Sequence, residues 1–330
     1  MSSLAPTLEA WFTDRLVGQR HASPNTIAAY RDTWRLLLQF AQSRTGKQPS
    51  QLDIADLDAE LVGKFLNHLE AERHNSARTR NARLAAVHSF YRYASLRHPE
   101  HALLVARVLE VPTKKCERKE VRYLNEDEAE TLVDAPDRGT WEGRRDQALL
   151  ATAVQTGLRA SELTGLRVGD VELRTGAHVH CRGKGRKERR TPLDKASVRL
   201  LKAWMKERGG SADDPLFPTR RGNTLSRSAL GSLVAKHAAT ASEHCPSIRT
   251  KAPTPHVLRH TCAMSLLASR CDSAVIALWL GHENVSTTAR VYLHGDMSIE
   301  ERVLDRTRPL NVKPGRYRPA DPLLAFLSGL

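Results

Sequence analysis

The stretch "TPHVLRH", residues 254–260, gathers two histidines and an arginine within five positions. Thr254 is a good N-cap and Pro255 suits the first helical position behind it, so a helix is predicted to start here. His256 then falls in the first turn, and Arg259 and His260 follow on its side, three and four residues on. A helix start offers unpaired N–H groups and a partial positive charge, and a guanidinium beside it adds a planar fork matched to two phosphate oxygens. The stretch reads as a phosphate site. A histidine pair four residues apart also suits zinc, as in HExxH, but that motif needs a glutamate where Val257 stands, and Arg259 would repel a cation. The plainer alternative, one core histidine and two surface charges, stays open on these seven residues alone.

The whole chain narrows the choice. At 330 residues it is long enough for two domains with separate cores. Its 51 Lys+Arg against 37 Asp+Glu give a formal charge of +14, which favours a polyanionic partner. No apolar run approaches a membrane span, and the start "MSSLAPTLEAWFTDRLV" lacks the basic-then-apolar order of a signal peptide, so a cytoplasmic protein without membrane contact is expected. The five cysteines (Cys116, Cys181, Cys245, Cys262, Cys271) are scattered and form no CxxC pair, which indicates neither a disulfide framework nor a Cys-rich zinc site.

Along the chain, helical patterns run from residue 23 to about 111. "SPNTIAAYRDTWRLLLQFAQSRTG" opens on the cap Ser23 with Pro24 behind it, lines up Ile27, Tyr30, Trp34, Leu37, Leu38 and Ala41, and stops at Gly46. "LDAELVGKFLNHLEAER" and "SARTRNARLAAVHSFYRYASLR" make two more helices, the latter expected to expose Arg78, Arg80, Arg83 and Arg92, and "EHALLVARVL" adds a short fourth. Residues 112–121, proline-bearing and basic, read as a linker. Beyond it Asn125 caps a helix and "RRDQALLATAVQTGLRASELTGLRVGDV" gives two, broken at Gly157. The period changes at "AHVHCRGKGRKERRTPL", which alternates around a Gly-Lys-Gly turn as a β-hairpin does. Helices are predicted again from Lys195 through His237, and from Thr254 to near Tyr292.

Three further stretches share the phosphate-binding character. "QTGLRASEL" sets Arg159 after a glycine break with Glu162 one turn later, a pair that could equally be a surface ion pair. "RGKGRKERR", residues 182–190, holds six basic residues, and its glycines allow Lys184 to be thrust from a flexible tip; a charged turn is otherwise merely solvated. "LWLGHENVSTTARVYLH" ends one helix at Gly281, with His282 just beyond, and starts another whose Tyr292 is either a nucleophile or a core aromatic.

Together, "TGLRASEL", "GKGRKER", "HVLRH", "LGH" and the downstream tyrosine resemble, in order and interval across residues 124–297, the tyrosine recombinase (phage integrase) family, above all its Xer-like bacterial members. The resemblance implies a mainly α fold with a small β-sheet or hairpin in the catalytic domain, arranged as a two-domain C-shaped clamp around duplex DNA. It implies a helical core-binding domain over 1–111, a linker over 112–121, a catalytic domain over 122–312 and a tail over 313–330. Arg159 and Arg259 match the arginines that grip the non-bridging oxygens of the scissile phosphate, and Lys184 the lysine that protonates the leaving 5′ oxygen. His256 and His282 match the histidines that bind the phosphate and help move the proton, Tyr292 the nucleophile and Glu162 the supporting acid. Arg78, Arg80, Arg83, Arg182, Arg186 and Lys187 become candidates for DNA contact. Neither metal nor other cofactor is implied, because guanidiniums and imidazoles aimed at the phosphoryl oxygens can supply the stabilisation Mg²⁺ gives elsewhere.

Tyr292 follows His282 by ten residues where the Xer-like pattern usually has nine; one extra helical residue turns a side chain by about 100°, so the intervening loop is expected to absorb it. Tyr317, in the irregular "KPGRYRP", is the weaker candidate nucleophile. The apolar tail "DPLLAFLSGL" is expected to dock on a neighbouring protomer of a DNA-bound tetramer, as the family's C-terminal segments do, rather than on its own domain. The activity implied is site-specific recombination for a mobile element or for chromosome or plasmid resolution, on double-stranded DNA with specific sites, alone or with related recombinases. A type IB topoisomerase and a silent DNA-binding regulator are the alternatives.

Overall fold

The computed structural model describes residues 4–116, 121–182 and 188–281, the side chain of residue 182 excepted. The chain divides into two compact units between residues 119 and 120.

The first unit is helical. Helix α1 (Leu4–Ala10) continues as a π-helical stretch, Trp11–Gln19, which buries Leu4, Trp11 and Leu16. The sequence reading gave this segment no helix. Helix α2 (Pro24–Thr45) has the predicted limits: the Ser23 hydroxyl accepts from the Thr26 N–H, and Gly46 ends it at φ 73°, a left-handed conformation that suits glycine. Helices α3 (Ala59–Ala71), α4 (Ala77–Ala94) and α5 (Ala102–Leu109) complete the unit around an aromatic centre in which Trp11, Trp34 and Phe90 meet edge to face.

Helix α4 corrects the expected exposure of Arg80. Arg80, Leu84, Val87 and Tyr91 recur at helical spacing on one buried stripe, so Arg80 points inward at 5 % exposure. Its guanidinium donates to the Pro112 carbonyl (2.9 Å) and approaches Glu70 (3.7 Å), while Asn81 and Lys114 exchange two hydrogen bonds. These contacts hold the start of the basic segment after α5 against α3 and α4. Arg78 is exposed, and Arg83 is half-buried, donating to Ala29 O and Thr33 Oγ1.

The second unit begins with α6 (Glu126–Asp134), capped by Asn125 in reciprocal hydrogen bonds with Glu128, and α7 (Trp141–Thr156). Helix α7 is buried on nearly every side and packs against α6, α9 (Lys195–Arg208) and α12 (Pro255–Ala268), so it is the axis of the core. The short α8 (Ala160–Thr164) follows Gly157. A three-stranded antiparallel sheet, β1 (Val171–Glu172), β2 (His178–Arg182) and β3 (Glu188–Pro192), contains the predicted hairpin, with Cys181 opposite Arg189 and Val179 opposite Thr191. Helix α9 ends at Gly209, and α10 (Arg227–His244) starts after Ser226; the helices expected from Lys195 are these two, separated where Gly209 and Gly210 take positive φ and Pro215 and Pro218 follow, and the second runs on past His237 to His244. Helices α11 (Ser247–Lys251), α12 and α13 (Ser273–Leu280) complete the described part. No helix among the described residues is long and apolar enough to cross a membrane.

Candidate active site

The helix start at "TPHVLRH" forms as read. The Thr254 hydroxyl accepts from the Val257 N–H (3.2 Å), and Pro255 occupies the first turn. Arg259, one turn further, is buried at 4 % exposure. A buried guanidinium needs acceptors. It finds them at the C-terminal ends of two other helices: Nη1 donates to Gly157 O (2.7 Å) at the end of α7, and Nη2 to Leu280 O (2.7 Å) at the end of α13. Carbonyls there have lost their intrahelical donors and carry the negative end of the helix dipole, so a cation satisfies both needs.

Arg159 reaches the same place from α8. Its Nη2 donates to Gly281 O (3.0 Å), the carbonyl following Arg259's acceptor at Leu280, and its Nη1 to Glu162 Oε1 (2.9 Å). The Arg159 backbone N–H also donates to Glu162 Oε2 (2.8 Å). Two arginines 100 residues apart in the chain thus converge on the last carbonyls of α13, immediately before His282. Both helices ending here do so on a left-handed glycine, Gly157 at φ 60° and Gly281 at φ 65°. A Cβ at Gly157 would lie 2.6 Å from Leu280 Cδ2 and 3.1 Å from Cys262 Cβ. Gly157→Ala is therefore expected to cost roughly 2–4 kcal/mol from left-handed strain and displacement of Leu280. Equilibrium unfolding in urea measures this.

His256 stands exposed at the rim, its ring 4.3 Å from that of His260, edge to face. Surrounding protein, then the charges of Arg259 and Arg159, hold its imidazole below the ordinary histidine value. It stays neutral at pH 7 and able to accept a proton.

Glu162 is supported by a residue the sequence reading did not select. Arg189 of β3 donates through Nη2 to Glu162 Oε2 (2.7 Å) and through Nη1 to Oε1 (3.3 Å). Burial pushes the Glu162 carboxyl up, but hydrogen bonds from Arg189 and the Arg159 N–H, with the charge of Arg189, outweigh it and hold the group ionised. The available signal was the strand period: Arg189 shares the inward face with Thr191 and, across the hairpin, Cys181 and Val179.

Of the residues selected from sequence, Arg159, Glu162, His256 and Arg259 are brought together. Lys184, Arg186, Lys187, His282, Tyr292, Tyr317 and the apolar tail lie outside the described residues, as does the side chain of Arg182. Among the described residues, no three His, Cys, Asp or Glu cluster as metal ligands would.

Two arginines meeting beside a supporting glutamate in a unit that carries a β-hairpin, with a helical unit before it in the sequence, are features that fit the tyrosine recombinases. The phage integrase family model matches residues 122–298, and the SAM-like N-terminal domain of phage integrases matches residues 10–98. The chain belongs to the phage integrase family and is a site-specific recombinase of the tyrosine class. It is 49 % identical over 329 residues to y4rC of Sinorhizobium fredii, named as an integrase/recombinase, covering 100 % of this chain and 99 % of that one. It is 34 % identical over 306 residues to the tyrosine recombinase XerC of Pelobacter propionicus, covering 90 % of this chain and 94 % of the relative. Its fold matches the XerH site-specific recombinase in a post-cleavage complex with palindromic difH substrate, with a TM-score of 0.69 at 22 % identity over 90 % of this chain and 84 % of that one.

Proposed function

We propose that this recombinase cleaves and rejoins duplex DNA at specific sites through a covalent 3′-phosphotyrosine, with Tyr292 as nucleophile and without metal or ATP. The observation that carries this reading is the meeting of Arg159 and Arg259 on the carbonyls that end α7 and α13. Those contacts fix the plane of each guanidinium before any phosphate arrives, and preorganised cations are what a phosphoryl transition state needs.

In the cleavage step the Tyr292 phenol oxygen bonds to phosphorus as the bond to the 5′ oxygen breaks. A phenol with a pKa near 10 must lose its proton as it attacks, and the departing alkoxide must gain one, so a base and an acid serve opposite sides of phosphorus. His256 takes the phenolic proton, Lys184 protonates the 5′ oxygen, and His282 donates to a phosphoryl oxygen. Arg159 and Arg259 neutralise the non-bridging oxygens, while Glu162 holds Arg159. One phosphodiester replaces another, so a free 5′ hydroxyl from a partner strand can reverse the step.

In this reading residues 1–111 are the core-binding domain, 112–121 the linker, 122–312 the catalytic domain, and 313–330 a tail that docks on a neighbouring protomer of a tetrameric synapse. The enzyme works in the cytoplasm for a mobile element or for chromosome or plasmid resolution. The match of residues 10–98 to the integrase N-terminal domain supports recombination over topoisomerase activity.

A DNA substrate nicked near the crossover tests the reading, because loss of the short cleaved fragment traps the adduct. The protein should become attached through a 3′ phosphate; attachment through a 5′ phosphate, or none on any candidate site flanking its gene, contradicts it. The rate of attachment should fall on the acid side with an inflection below the ordinary histidine value, because surrounding protein and the charges of Arg259 and Arg159 lower the pKa of His256 and keep its proton-accepting form populated at neutral pH. A single-turnover pH profile checks this, and His256→Gln should lack that acid limb.

A further inference from the structure

We propose that Arg189 is a positioning residue for strand cleavage: through Glu162 it keeps the Arg159 guanidinium oriented for the scissile phosphate and undrawn from it. The inference rests on the reading of Arg159 given above.

The strand period supplies the first step. Arg189 occupies an inward position of β3 opposite Cys181, on the face that carries the buried Val179 and Thr191. Burying a guanidinium there costs desolvation that even a good ion pair barely offsets, and replacing a buried pair by apolar residues is often neutral or stabilising. The Arg189 side chain is only 11 % exposed, and its Nε is buried with no hydrogen-bond partner among the described residues. Stability alone therefore gives little reason for an arginine at this position.

The geometry gives a different reason. Glu162, with a side chain 5 % exposed, receives Arg189 on both oxygens and Arg159 on both oxygens, the latter once through its backbone N–H and once through Nη1. One carboxylate between two guanidiniums leaves the cluster net positive. With Arg159 as its only cationic partner, the same carboxylate would close on it as a neutral fork-to-fork pair and withdraw it from an incoming phosphate. The nearby Cys181 thiol, pushed up to about 11 chiefly by burial, stays neutral and leaves this count unchanged.

Arg189 also lies beside the end of α13. A Cβ at Gly281 would stand 2.7 Å from Arg189 Nη1, 3.1 Å from Cζ and 3.3 Å from Cδ, so this side chain lies against the backbone whose carbonyl accepts from Arg159. Its hold on Arg159 runs through Glu162, while packing on residue 281 fixes the Arg189 side chain itself on the strand that follows the Lys184 hairpin.

Single-turnover attachment to the nicked substrate at saturating protein, with DNA affinity and unfolding measured on the same variants, tests the proposal. Arg189→Met should attach about 10- to 100-fold more slowly, as misorientation of one catalytic contact does, with DNA affinity within about threefold of native. Arg189→Lys, which keeps the charge but not the fork, should recover part of the rate. Combined with Glu162→Gln, Arg189→Met should add almost nothing, because both act on Arg159 through one carboxylate. Attachment within twofold of native in Arg189→Met, or losses that multiply in the double variant, overturns the proposal. If Arg189→Met does not fold, Arg189→Lys decides: a several-fold slower rate at unchanged affinity supports it, and a native rate overturns it. Arg159→Ala is the control. If it attaches at the native rate, the reading of Arg159 itself fails; if it is slow while the Arg189 variants are native, only the present inference fails.

Discussion

Tyr292→Phe is expected to bind DNA within about threefold of the native protein and to lower covalent attachment by about 10⁵-fold or more, the scale on which loss of a nucleophile is felt. Phenylalanine keeps the ring and removes only the oxygen that would bond to phosphorus. In the proposed mechanism the guanidiniums and imidazoles stabilise charge but cannot replace that bond, so no slower covalent route should remain. Gel retardation and denaturing electrophoresis of the trapped adduct read the two quantities separately. Attachment that survives in Tyr292→Phe but is lost in Tyr317→Phe would move the nucleophile to the other downstream tyrosine.

Arg259→Ala should show the second-largest effect, on two properties at once. Losing one preorganised donor to a developing oxyanion costs about 10²–10³ in rate, and a bidentate cation should sit at the upper end of that range. Because Arg259 also satisfies Gly157 O and Leu280 O inside the protein, its removal leaves two buried acceptors unpaired, for roughly 2–4 kcal/mol of stability. Arg159 is different. Its side chain is 38 % exposed and holds a single backbone carbonyl, so Arg159→Ala should lose comparable activity with little stability. Urea unfolding alongside single-turnover attachment separates the pair; equal stability losses would mean that the buried carbonyls are not what Arg259 supports.

Much of this architecture was legible where local chemistry decides it. Ser23, Asn125 and Thr254 cap their helices as their side chains predict, and Gly46, Gly157 and Gly281 end theirs because the chain turns left-handed there. Arg159, Glu162, His256 and Arg259 were selected because a motif fixes their helix positions. Burial on a wide arc hid more. Arg80 looked solvated as one of several basic residues, yet it continues the Leu84, Val87 and Tyr91 stripe and binds Pro112 across the unit. Arg189 was read as one charge in a basic turn, although its place two residues before the buried Thr191 set it on the inward face. The Trp11–Gln19 stretch escaped because its π-helical winding departs from the 3.6-residue period by which amphipathic helices are found.

The central claim is that the arginines meeting at the ends of α7 and α13 neutralise charge on one DNA phosphate. A methylphosphonate at the scissile position, tested as each diastereomer, removes one negative non-bridging oxygen and tests that claim most directly. Attachment by the native protein and by Arg159→Ala should differ by about 10³-fold on ordinary DNA, and the gap should shrink to about tenfold or less on at least one diastereomer, since the charge the arginine served is gone. A gap of undiminished size on both diastereomers would contradict the account.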